Sequence, residues 1–122
     1  MTAPLIVTRD QSLLDQLLRL AAAAGITPDV APDLGAALRR WPVAPLVLVG
    51  DDVAAELAAI SPARRPRVHV VAWGPVPDEL FRVTVSLGGE SVAQLPSSEG
   101  WLVEALTDLG DPQRPAGAVI GV

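Results

Sequence analysis

The stretch Pro45-Leu46-Val47-Leu48-Val49-Gly50-Asp51-Asp52 decides the fold. Its four branched apolar residues in succession are too short for a helix and show no polar alternation. That is the pattern of a strand buried on both faces. Gly50 ends the strand, and Asp51 or Asp52 stands where the cap of a following helix belongs. Val53, Leu57 and Ile60 then recur at helical spacing. A strand that runs directly into a helix is the βα unit of a parallel sheet.

The same unit repeats on either side. Upstream, Leu5-Ile6-Val7-Thr8 reads as a strand. Ser12 with Asp15 forms a capping box for a helix whose face is Leu13, Leu14, Leu17, Leu18 and Ala21, and Gly25 stops it. Thr27 to Ala31 is a short second strand. Asp33 caps a second helix with Leu34, Ala37, Leu38 and Trp41 in its stripe, and Pro42 lies beyond its end. Downstream, Pro62 to Pro66 is a loop and Val68 to Trp73 a fourth strand. Asp78 opens a segment with Leu80, Val83 and Leu87 on one side, although its β-branched residues weaken the case for a helix. Gly88-Gly89 is a turn, and Ser91 to Leu95 is a fifth strand. Pro96-Ser97-Ser98-Glu99 starts a last helix striped by Trp101, Leu102, Ala105, Leu106 and Leu109 and stopped by Gly110. The alternation predicts an α/β three-layer sandwich: a five-stranded parallel sheet with helices on both faces. Its natural strand order is the flavodoxin-like 2-1-3-4-5.

Composition narrows the function. The 122 residues suit one domain, half of them are hydrophobic, and there is no cysteine for a disulfide or a thiolate metal site. Net charge is −5 and every basic residue is arginine, a bias of GC-rich genomes. Arg64, Arg65 and Arg67 form the densest basic cluster, read as a solvated loop before a strand and too small a footprint for nucleic acid. No signal peptide and no apolar run of membrane-spanning length is visible, so a soluble, cytoplasmic protein without membrane insertion is expected. Residues 1–110 read as the domain and 111–117 as a linker. Ala118-Val119-Ile120-Gly121-Val122 turns apolar again, as the first strand of a second, truncated domain would.

Chemistry in a doubly wound sheet sits at the carboxyl ends of the strands. Here those ends are Thr8-Arg9-Asp10, Gly50-Asp51-Asp52, Trp73-Gly74 and Leu95-Pro96. No metal, cofactor or catalytic constellation is expected among them. Asp10, Asp51 and Asp52 read as caps and loop acids before they read as a magnesium site. His69, the sole histidine, lies within a strand with no acid or nucleophile partner in view and reads as structural. Trp41, Trp73 and Trp101 read as core or helix-face residues.

The layout resembles that of response-regulator receiver domains, on the strength of Pro45-Leu46-Val47-Leu48-Val49 and of Gly88-Gly89-Glu90-Ser91 before a strand that ends at Pro96. The resemblance implies four functional positions, and all four depart from the pattern. The acidic pair is replaced by Thr8 and Arg9, the phosphoacceptor aspartate by Gly50, the Ser or Thr by Trp73-Gly74, and the lysine by Leu95. The whole is similar to a narrower family: an atypical receiver-like domain fused to a MinD/ParA-type ATPase, as in CpaE/TadZ-like pilus-localisation and septum-site-determining proteins. Arg114-Pro115-Ala116-Gly117 followed by Ala118 to Val122 looks like the linker and first strand before such an ATPase. The resemblance implies a non-catalytic regulatory and interaction domain recruited to a pole or septum. Its partners would be cell-division or pilus-assembly proteins and a second copy of itself, and its pairing face would include Leu80, Val83, Leu87, Trp101 and Ala105. Two alternatives stay open: a receiver phosphorylated on Asp51 or Asp52, and a small flavodoxin-like ligand binder.

Overall fold

The computed structural model describes residues 3–110. Strands β1 (Leu5–Val7), β2 (Asp29–Val30), β3 (Val47–Gly50), β4 (Val68–Trp73) and β5 (Ser91–Leu95) alternate with helices. These are α1 (Gln11–Ala23), α2 (Leu34–Arg40), α3 (Asp51–Ile60), α4 (Asp78–Leu87) and α5 (Glu99–Gly110). All pairings are parallel, in the order β2-β1-β3-β4-β5. The expected sheet is therefore present. The linker and the apolar run expected over residues 111–122 lie outside the described residues.

Alternation along each strand sorts the core into two layers. Leu5, Val7, Val47, Val49, Val68, Val70 and Ala72 face α2, α3 and α4, packing on Ala37, Val53, Leu57 and Leu87. Ile6, Leu48, Val71, Ala93 and Leu95 face α1 and α5, packing on Leu13, Leu17, Leu20, Leu102 and Leu106. Both faces of β3 are sealed, which is why its sequence runs apolar without alternation. Each such large side chain contributes about 1.5–3 kcal/mol by leaving water.

Several local readings are corrected. The cap of α1 is Asp10, not Ser12: its carboxylate accepts from Ser12 N and Leu13 N at 3.0 and 3.3 Å. The cap of α3 is Gly50, without a side-chain bond, and Asp51 and Asp52 lie inside the first turn. Asp33 does cap α2, accepting from Ala36 N at 2.8 Å. Ile60 is exposed rather than part of its helix's buried face. The segment from Asp78 is a regular helix despite Val83-Thr84-Val85. The Thr84 hydroxyl is buried but donates to the Leu80 carbonyl at 2.7 Å, and Leu80 and Leu87 gain the core, so packing overrides propensity.

The basic cluster is not a plain solvated loop either. The Arg65 guanidinium donates to the carbonyls of Trp41 and Ala44, and the buried Trp41 indole N–H donates to the Ala63 carbonyl at 2.8 Å. These bonds strap the segment between α3 and β4 onto the end of α2.

Candidate functional site at the carboxyl ends of the strands

Because β1 and β3 are adjacent, with Val7 opposite Val49, the residues that follow them meet. Thr8 is nearly buried. Its hydroxyl donates to Asp52 Oδ1 at 2.6 Å and accepts from Asp10 N at 3.1 Å. The other Asp52 oxygen accepts from Arg9 N at 2.7 Å. Asp52 therefore ties the end of β1 to the first turn of α3, a role that its sequence position hid behind helix capping. The Arg9 guanidinium reaches one turn further along α3 and pairs with Glu56 at 2.6 Å, in the open, where such pairs add little.

Gly50 sits against this bond. A Cβ there would lie 2.4 Å from Asp52 Oδ1 and 2.6 Å from Thr8 Oγ1. Its φ of −67° is open to any residue, so lack of room is what requires glycine. The space past the end of β3 is filled by the Thr8–Asp52 pair.

The remaining acids do not form a metal site. Asp10 is spent on its helix cap and Asp52 on Thr8 and Arg9. Asp51 is held above the usual carboxylate range, first by partial burial and then by the neighbouring charge of Asp52. Among the described residues no group of three or more His, Asp or Glu side chains is placed to hold a metal ion. The divalent cation held by phosphorylatable receivers does not fit these residues.

Trp73 and Gly74 end β4. Trp73 is 55% exposed beside a cleft of about 200 Å3 that it shares with Asp10, Ser12, Leu13 and Gln16. Gly74 adopts φ +82° and its N–H donates to the Leu95 carbonyl at 2.8 Å. The Leu95 side chain is fully buried, so apolar packing occupies its position, and the Leu95–Pro96 peptide is cis. Thr8, Arg9, Asp10, Gly50, Asp51 and Asp52 thus form one cluster, with Trp73 and Gly74 at its side and Leu95 beneath.

The expected pairing face is revised by burial. Leu80 and Leu87 belong to the core, and Val83 and Ala105 are partly covered. On α4 and α5 the exposed large apolar side chains among the described residues are Phe81, Val85 and Trp101, at 51%, 70% and 46%. The i, i+4 spacing of Phe81 and Val85, off the Leu80–Leu87 stripe, was the available signal. Trp41 is core as expected, whereas Trp73 and Trp101 are half-exposed. His69 does have a partner: its Nδ1 lies 2.8 Å from Ser91 Oγ.

A parallel sheet ordered β2-β1-β3-β4-β5, with two helices on one face and three on the other, places this molecule in the CheY-like receiver class. Within that class residues 7–117 match the family described as the Rv3660c-like, CheY-like N-terminal domain, and the chain belongs to that family. No curated protein matches it. No helix among the described residues is long and apolar enough to cross a membrane.

Proposed function

We propose that this chain is a pseudo-receiver: a regulatory domain that binds proteins and has lost phosphoryl chemistry. The observation that carries this reading is the Thr8–Asp52 hydrogen bond at 2.6 Å, which fills the space an acceptor carboxylate would need at Gly50. Aspartyl phosphorylation requires a free carboxylate, a divalent cation and a cation on the phosphoryl oxygens. Arg9 stands where an acid would hold the metal, and Leu95 where a cation would be.

In this reading the domain serves a septum-site-determining or pilus-localising protein whose MinD/ParA-type ATPase follows residue 117. It binds cell-division or pilus-assembly components and a second copy of itself. Phe81 and Val85 on α4, exposed apolar residues one turn apart, support a pairing face beside β5.

The test is solution mass by light scattering over a concentration series, with and without magnesium and acetyl phosphate. A self-association indifferent to both supports the reading. A phosphoryl mass gain, or association only with the phosphodonor, overturns it and restores a phosphorylatable receiver.

A further inference from the structure

The cleft of about 200 Å3 beside Trp73 lies at the carboxyl ends of the strands, where doubly wound sheets take their ligands. Trp73 forms one wall; Asp10, Ser12, Leu13 and Gln16, from the cap and first turns of α1, form the rest. Leu13 is buried and gives the cleft an apolar floor. The Trp73 indole is 55% exposed, so much of its apolar face stays in water, where it adds little to stability.

The polar groups around the cleft are mostly donors. Gln16 Oε1 accepts from Arg19 Nε and Nη2 at 3.1 and 2.9 Å, which fixes the amide's orientation and leaves its NH2 over. Asp10 Oδ1 is taken up by the N–H groups of Ser12 and Leu13. The Trp73 Nε1–H, the Ser12 hydroxyl and the Gln16 NH2 have no partner among the described residues. Arg19, the one basic residue of α1, is held by Gln16 and by Glu99 at 2.8 Å, so no cation is spare for a phosphate.

An indole face and an apolar floor ringed by donors suit a ligand with apolar rings and carbonyl acceptors but few N–H groups. An ordinary extended peptide brings an N–H with every residue and would turn some of them against these donors. Proline has no N–H, its ring packs on an indole, and a run of prolines is already ordered as an extended helix with solvated carbonyls. We propose that this cleft receives a proline-rich segment of a partner protein, with a proline ring on Trp73 and backbone carbonyls on the donors around it. The inference names a ligand class for the pseudo-receiver and rests on that reading only in taking the ligand to be a protein.

The test is an NMR titration of the full chain with acetyl-hexaproline-amide and with its hexa-alanine twin, in the absence of magnesium and phosphodonor. The expected result is saturable movement of the Trp73 indole N–H and the Gln16 side-chain NH2, with the Trp41 and Trp101 indoles still. A single cleft of this size should bind with a dissociation constant on the order of 1 mM. The alanine peptide, which regains its N–H groups and loses its preset shape, should bind at least about tenfold more weakly. Trp73→Phe keeps a ring but removes the donor; it should weaken the proline peptide several-fold and leave the melting temperature unchanged. Equal responses to the two peptides, shifts that spare Trp73, or unchanged binding by Trp73→Ala would overturn the proposal. Binding seen only in the Pro112→Ala, Pro115→Ala chain would also overturn it, by assigning the cleft to the chain's own prolines. None of these outcomes depends on phosphoryl uptake, so failure here and failure of the pseudo-receiver reading are told apart.

Discussion

Gly50 is glycine for want of space. Gly50→Ala should cost about 1–3 kcal/mol, the usual penalty for forcing a methyl into filled volume, read as a lower midpoint in urea. Gly50→Asp should be at least as destabilising and should gain no phosphoryl group from acetyl phosphate, because Thr8 and Asp52 hold the space. His69 makes a second prediction at this scale. Burial lowers its pKa from 6.5, with Glu90 opposing and Arg67 assisting. The folded state therefore binds that proton less readily than the unfolded chain. Stability from this group is whole above 6.5 and is lost as pH falls through the lowered folded value. Melting temperatures at pH about 7.5 and about 5.5 should show this decline, and His69→Gln should remove most of it. Asp51 acts with the opposite sign: its raised pKa gives stability that is present below 3.8 and lost as pH rises through the folded value. Residue roles were the least legible part of the sequence. Asp52 reads as a cap until a contact from 44 positions away shows what it binds.

At the level of elements, every strand and helix was visible as a pattern, and the errors fell at their ends. Ser12 with Asp15 fits a capping box, but Asp10, two residues earlier, caps the helix through Ser12 N and Leu13 N. Asp10→Ala should therefore cost about 1 kcal/mol, and Ser12→Ala far less, by thermal unfolding. In α4 the β-branched residues argued against a helix, yet the Thr84 hydroxyl finds its acceptor inside the helix. That contact depends on the helix already being there, so no local signal could announce it. The same helix carries the association test. Phe81→Ser with Val85→Ser should lower the solution mass at a given concentration while leaving stability nearly unchanged, since both side chains are exposed.

For the molecule as a whole, strand order was legible because few parallel topologies satisfy right-handed, uncrossed connections between five βα units. Which strand residues face which core layer was not legible, because β3 runs apolar on both faces. Surface function was not legible in the same way: a stripe such as Leu80, Val83 and Leu87 serves a core or an interface equally well until neighbouring elements cover it. Magnesium should leave the melting temperature of the whole domain unmoved, since a ligand stabilises only what it binds.

The strap built by Arg65 has a further consequence, for digestion. Trypsin selects an arginine by drawing its guanidinium into an acidic pocket, and the segment must first loosen to enter the cleft. Pro66 already closes the Arg65 bond to trypsin, and cleavage after Arg64 needs a loosening that the bonds of Arg65 to two carbonyls and of Trp41 to the same segment oppose. The residues between α3 and β4, dense in arginine and proline and outwardly the weakest point of the domain, should stay intact under limited proteolysis until the whole sheet opens.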